Sequence, residues 1–380
     1  MFEKKYLADY ATDRRNNFNL MRFIAAGLVL FGHSYALTGA STDPMLVRTG
    51  ISFGHFAVHV FFITSGFLVT ASLLNRKDMR VFVRARFLRI FPGLAVANLI
   101  TVFIIGSFFT VLFLSEYLSK KQTYLYLFKN TTLIFGELRW DLPGVFQHNP
   151  FRAGVNGSLW TLPYEMNMYG VLLLVGLLTY TGFKLFNARS LRWLAAAGAI
   201  TLLAINVFLY VRSQATVEMW QLSGMFFIGA AAYLFKDRII LSSLLAIPML
   251  GLLYYLAIVP MSNSFFICYW LFLTYLTLYF AYVPRGPLLY FNKLGDYSYG
   301  MYIYAFPIQQ GLVASFPGIK PWQLTLSAFP LTLIAAVLSW HFVEKKALAL
   351  KKKPLSLPLP KFIKARFATA PIGNQTGNRD

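Results

Sequence analysis

"LMRFIAAGLVLFGHS", residues 20–34, is apolar enough to lie in lipid, yet it carries Arg22 and His33. A charge at the bilayer centre costs at least ~2.5–3.5 kcal/mol on insertion scales, so a helix that holds one is expected to use it. Arg22 and His33 are eleven residues apart. At 100° per residue that spacing is about 20° beyond three full turns, and about 16 Å along the axis. Both side chains therefore share one helix face, with a fixed cation at one end and a titratable base further along.

The surrounding sequence makes this stretch the first of many spans. Of 380 residues, 57% are hydrophobic and 13% charged, whereas soluble domains average about 25% charged. Runs nearly free of charge recur at 93–114, 166–182, 193–211, 239–259 and 264–283. About 20 apolar residues cross a ~30 Å hydrocarbon core. The runs are continuous rather than alternating, which argues against a β-barrel. The reading is an all-α polytopic membrane protein, a bundle of about ten transmembrane helices. The spans are placed at 18–38, 52–74, 92–114, 160–182, 191–211, 219–236, 238–259, 262–283, 296–315 and 322–344.

Charge gives these spans a direction. The chain carries a net charge of +21, and about 26 of its 35 Lys and Arg residues fall on one side of the bundle, about 8 on the other. Arg22 lies inside the first span. The positive-inside bias then puts both termini in the cytoplasm. The basic excess is a topology signal, part of it facing anionic headgroups, and no nucleic-acid partner is expected. Arg14 and Arg15 ahead of an apolar stretch imitate a secretory signal. Its apolar region would contain His33, and further spans follow, so the first helix is read as uncleaved. The division is a cytoplasmic N-terminal segment at 1–17, a membrane domain at 18–344 and a basic cytoplasmic tail at 345–380. Residues 115–157 form the long outer loop, expected to lie in the interface or fold back as a cap. The single cysteine, Cys268, excludes an intramolecular disulfide and reads as a small packed hydrophobe.

Other polar residues stand out against this background. "NRKDMRVFVRARFLRIFP" precedes the third span. Its Arg86 and Arg89 are helix neighbours, able with Arg22 to form a cluster suited to phosphates. Ordinary positive-inside anchoring would give the same run. "NGSLWTLPYEMNMY" puts Glu165 a few residues into the fourth span, where a carboxylate is a functional hypothesis by default. Ser158 and Trp160 precede it at the outer interface. "GHFAVHVFFITSGFL" sets His55 and His59 four apart, a zinc-binding spacing on a helix. No cysteine or acid is near in sequence, so an aqueous pocket lining is the better reading and no metal site is expected. Gly66 in the same stretch suits close helix packing.

These stretches together resemble acyltransferase family 3, the integral-membrane acyltransferases. The likeness rests on the Arg22/His33 pair and, in order, on "FFITSGFL", "RARFLRIFP", "NGSLWTLPYE", "LGDYSYGMYIYAFP" and "FVEKKAL", over about residues 18–348. The resemblance implies a ten-helix bundle in a bacterial cytoplasmic membrane. Its activity would be transfer of an acyl group, commonly acetyl, from cytoplasmic acyl-CoA to a hydroxyl of an extracytoplasmic or lipid-linked glycan. Acyl-CoA would be a co-substrate, with no permanently bound cofactor; membrane lipid and the glycan complete the expected partners. Arg22, Arg86 and Arg89 would hold the donor head, and His33 would serve as the base, with Glu165 orienting it or binding acceptor. Ser65, His59, Ser158, Trp160, Tyr164, Tyr299 and Glu344 would line the pocket or bind acceptor. Some members carry an added soluble domain that finishes the transfer, and none is found in this sequence. A transporter or flippase for an anionic or glycosylated substrate would also want intramembrane Arg, His and Glu. It would more often show inverted repeats, which the sequence lacks.

Overall fold

Each apolar run folds as a helix, because a chain in lipid must satisfy every backbone N–H and C=O internally. The computed structural model describes residues 5–12, 15–40, 43–75, 79–152, 154–180, 188–213, 216–259 and 262–352. Most of the expected basic tail, from 353 onward, lies outside the described residues. Numbering the long helices alone gives α1 (Phe18–Leu37), α2 (Phe53–Leu74), α3 (Met79–Ile100), α4 (Leu162–Tyr180) and α5 (Ala188–Ser213). They are followed by α6 (Glu218–Leu234), α7 (Ser243–Ile258), α8 (Ser262–Tyr282), α9 (Ser298–Ser315) and α10 (Pro321–Ser339). There is no strand among the described residues.

Among the described residues, seven helical stretches are long and apolar enough to cross a membrane: Phe18–Leu37, Phe53–Leu74, Met79–Phe109, Gly157–Leu178, Leu191–Ser213, Asn263–Tyr282 and Pro321–Ala349. The chain is a multi-pass membrane protein. Helix α7 is apolar but shorter. Helix α9 is the most enclosed of the set, and its glutamine amides bond to neighbouring segments. Gln309 donates to the Leu30 carbonyl at 2.9 Å and to Ser34 Oγ at 2.8 Å. Pro307 in the same helix has no N–H, which frees the carbonyl of Ile303 four residues back. The Asn156 side-chain amide fills that vacancy at 2.9 Å.

Helices α2 and α6 make the closest crossing. A Cβ on Gly66 would strike the Phe226 carbonyl, and one on Gly229 would strike the Ile63 carbonyl. Two facing glycines let the backbones touch, which is how small residues drive helix association in lipid. Two helices also pass through wider, π-type turns. At Thr101–Gly106, beyond α3, the Tyr117 hydroxyl donates to the Val102 carbonyl at 2.9 Å. At Trp340–Glu344, beyond α10, the turn ends on the buried carboxylate of Glu344.

The 115–157 stretch folds back as a small cap. Helices Leu114–Ser119 and Lys121–Thr132 bury Tyr117 and Tyr126 with Val102, Leu142, Val145, Phe146 and Val155 in a core of their own. Asn149 ties the cap to α9 through two bonds to Gln310, at 2.9 Å to its carbonyl and 2.7 Å to its side chain. On the cap's surface the Lys129 ammonium pairs with Glu137 and holds that carboxyl below its ordinary value. Cys268 is free and half-buried against the main core.

Candidate functional site

Arg22 and His33 lie on one face of α1 and line two different cavities. The smaller one, about 50 Å³, is bounded by Arg22, Ser65, Glu165, Ser298, Tyr299 and neighbouring apolar side chains. The larger one, about 280 Å³, is bounded by His33, Ser52, His55, Trp160, Asp43 and their neighbours. Val58 and Tyr302 belong to both walls. The two cavities therefore meet across two side chains, one from α2 and one from α9.

Charges at the Arg22 end are already matched. Asp296, just ahead of α9, accepts from Arg22 Nη1 at 3.2 Å and from Arg89 Nη2 at 2.6 Å on the same oxygen. Ser298 Oγ donates to its other oxygen at 2.5 Å. Glu344 places Oε2 3.8 Å from Arg89 Nη1, while its Oε1 accepts from Ser339 at 2.9 Å. The Arg89 guanidinium lies 5.6 Å from the Tyr299 ring centre, and the Tyr299 hydroxyl donates to the Ile90 carbonyl at 2.8 Å. Helices α1, α3, α9 and α10 are thus joined through one ion cluster. Arg86 stands apart from it, 5.7 Å from the ring centre of Tyr169, with its Nε buried and unpartnered among the described residues.

Glu165 belongs to this end too. It accepts hydrogen bonds from Tyr169 and, at 3.2 Å, from Ser65 Oγ. It shares no cavity with His33, so the expectation that it orients the imidazole is not met. Its hydrogen-bond partners are Ser65 and Tyr169, beside Arg22.

At the other end His33 packs edge-on against Phe306, ring centres 5.0 Å apart, with Nδ1 buried and unpartnered among the described residues. The two histidines of α2 separate. His55 faces the cavity: its Nδ1 lies 2.8 Å from Ser52 Oγ and its Nε2 3.0 Å from Glu218 Oε1. His59 is buried, 2.7 Å from the Tyr269 hydroxyl, and is absent from both cavity walls; reading it as a pocket residue is corrected to a core residue. Trp160 lines the His33 cavity, its ring 5.9 Å from His55, and Tyr164 packs behind it at 5.9 Å. Ser158 is fully buried and lines neither cavity.

Sequence reasoning missed four participants: Asp296, Tyr302, Ser52 and Glu218. Asp296 and Glu218 are two of only 14 acids in a basic chain, each at the edge of an apolar run. That scarcity was the available signal. Tyr302 and Asp296 lie within "LGDYSYGMYIYAFP", which carries the family resemblance without singling out either; nothing in the local sequence marks Ser52.

Comparison with known proteins shows the family. A family model described as an acyltransferase domain matches residues 15–341. The chain is 29% identical to a protein named O-acetyl transferase from Shigella phage Sf6, over 90% of this chain and 99% of that one. It is 27% identical to Nodulation protein 10 of Rhizobium leguminosarum bv. viciae, over 90% of this chain and 96% of that one. No solved structure matches it. With most of its length matched by that model, the chain belongs to acyltransferase family 3 and is an enzyme that transfers acyl groups to hydroxyls.

Proposed function

We propose that the protein moves an acyl group, most simply acetyl, from acyl-CoA in the cytoplasm to a hydroxyl of a glycan or lipid-linked glycan across a bacterial cytoplasmic membrane. The observation that carries this reading is the pair of adjoining cavities on one face of α1, cationic at Arg22 and imidazole-lined at His33. In the same reading the bundle crosses the membrane ten times, with both termini and the Arg22 end in the cytoplasm. The 115–157 cap and His33 then face outward.

The donor is a polyanionic head on a long flexible arm. Each guanidinium has five N–H donors, and the contacts to Asp296 and Glu344 engage one nitrogen of Arg22 and two of Arg89, so both keep donors for phosphate oxygens. Arg86, on the Tyr169 ring and one helical turn from Arg89 along α3, adds a further cation to the same end of the bundle. The arm runs along α1 past Val58 and Tyr302 and brings the thioester to His33. There the imidazole takes the proton of the acceptor hydroxyl while its oxygen attacks the carbonyl carbon. The C–S bond breaks, and the thiolate leaves and takes up a proton. Base assistance of this kind is worth ~10²–10⁴-fold.

The test is reconstitution of the whole chain in vesicles with labelled acetyl-CoA on one side and a hydroxyl-bearing glycan on the other. Labelled glycan ester and free CoA should appear in equal amounts on opposite sides. A protein that leaves the thioester intact in every orientation, or that carries the glycan across unmodified, overturns the reading. Reporter fusions after Asp380 and near Gln147 should report opposite sides of the membrane.

A further inference from the structure

We infer that Ser52 is an acyl-carrying nucleophile, activated by His55 and Glu218 on the wall of the His33 cavity. The inference rests on the acyl-transfer reading above and adds a covalent step to it. Ser52 Oγ lies 2.8 Å from His55 Nδ1, and His55 Nε2 lies 3.0 Å from Glu218 Oε1. A carboxylate can only accept, so in the neutral ring Nε2 carries the hydrogen and Nδ1 is left to accept from the serine hydroxyl. Nucleophile, base and orienting acid then stand in the order that activates a hydroxyl for acyl transfer. All three are reachable: Ser52 and His55 line the cavity that also holds His33, and the His55 and Glu218 side chains are 41% and 38% exposed.

Ser52 has a second task, which is the bland account of its position. It caps α2, its Oγ accepting from the His55 N–H at 3.1 Å. A cap needs one lone pair on Ser52 and nothing from another helix. It leaves unexplained why Glu218, 163 residues further along the chain, closes on the far side of the imidazole. That approach is held by the α2–α6 crossing, where Gly66 and Gly229 let the two backbones touch. The cap also helps the chemistry, because the N-terminus of a 22-residue helix favours negative charge on the serine oxygen.

The step balances as follows. Ser52 Oγ gives its proton to His55 Nδ1 and attacks the thioester carbonyl. The C–S bond breaks, and the thiolate leaves and is protonated by water. The acceptor hydroxyl then gives its proton to His33 and attacks the serine ester. The ester C–O bond breaks, Ser52 Oγ takes back the proton from His55, and His33 returns its own to water.

The experiment incubates the purified full chain with labelled acetyl-CoA without acceptor, quenches in acid and maps the label by peptide mass spectrometry. The wild type should carry an acetyl ester on Ser52 that is discharged on adding glycan. Ser52→Asn keeps a good helix cap and removes the hydroxyl. It should lose the adduct and at least a hundredfold of transfer, with an unchanged thermal midpoint. Ser52→Gly, which also caps, should behave alike. Glu218→Gln should slow adduct formation more than tenfold and shift its pH profile, with acetyl-CoA affinity unchanged; Glu218→Asp should restore part of the rate. If Ser52→Asn transfers acetyl at the wild-type rate, Ser52 is only a cap and the covalent step is wrong, while the acyl-transfer reading stands. If the wild type consumes no acetyl-CoA, the acyl-transfer reading has failed, and this step with it.

Discussion

The two cavities along α1 are near neighbours and opposites in how far their polar groups are satisfied. At the Arg22 end a cavity of about 50 Å³ has on its wall one member, Arg22, of an ion cluster that joins four helices. At the His33 end a cavity of about 280 Å³ is ringed by two imidazoles, one of which leaves Nδ1 unpartnered. The first region spends its charges holding helices together, so a donor must share cations that acids already occupy. The second has room for a molecule and atoms still wanting partners. Chemistry therefore belongs at the His33 end, and anchoring, of substrate and of fold alike, at the Arg22 end.

The largest expected effect tests that division at its chemical end. His33→Gln keeps volume and hydrogen bonding but cannot exchange a proton near neutral pH. Transfer should fall by ~10²–10⁴-fold, with acetyl-CoA affinity and thermal midpoint unchanged, since Arg22 lies three turns away. Near wild-type transfer by a variant that reaches the membrane at normal levels would make His33 structural. The base would then have to be sought at His55 or Glu165.

Asp296→Ala tests the anchoring end. It leaves Arg22 and Arg89, with side chains 23% and 14% exposed, facing each other without their shared acid. Removing one partner of a buried pair costs roughly 3–5 kcal/mol. The variant should lose much of its stability in detergent, read as a fall in thermal midpoint, and Asp296→Asn should lose nearly as much. Unchanged stability in both would mean that lipid or water already screens the cluster, and the contrast between the two ends would weaken.

The α2–α6 crossing sharpens the comparison because it carries the His55–Glu218 contact, while α2 gives the Arg22 cavity Ser65 and no charge. Gly66→Ala would press a methyl against the Phe226 carbonyl. Overpacking of this kind costs about 1–3 kcal/mol. Forcing α2 from α6 should also lengthen the His55–Glu218 contact, so transfer should fall further than stability. Acetyl-CoA affinity should hold, because the arginine cluster lies on other helices. Equal losses of donor affinity and transfer would show the two ends moving as one body.

Much of this architecture was legible in the sequence because lipid imposes long apolar helices, and those runs can be read directly. The shared face of Arg22 and His33 was legible too, since helix geometry fixes it over eleven residues. Gly66 was read as a close-packing residue and is one. What could not be read were partners brought from elsewhere in the chain. Asp296 meets Arg22 across 274 residues, and Glu218 meets His55 across 163. No local pattern encodes such pairs. The same ignorance of neighbours sent Glu165 towards His33 and His59 into the pocket, whereas Glu165 bonds Ser65 and Tyr169 and His59 bonds Tyr269 in the core.

Ser158 carries the smallest expected effect and the finest test of where the His33 end stops. The sequence places it just before Trp160, as an acceptor-binding hydroxyl. In the structure it is fully buried, belongs to neither cavity wall, and its Oγ finds no partner among the described residues. A buried hydroxyl without a partner is a liability of ~1–3 kcal/mol. Deleting it as Ser158→Ala leaves the Asn156 cap of the same turn intact, since that bond uses the Ser158 backbone N–H, 3.2 Å from Asn156 Oδ1. The variant should be as stable as the wild type or slightly more so, and its transfer rate should agree within about twofold. A large loss of transfer with an unchanged thermal midpoint and unchanged acetyl-CoA affinity would show that acceptor reaches Ser158. The His33 cavity would then have to extend behind Trp160 when glycan binds, and the boundary drawn here between wall and core would move inward by a turn of helix.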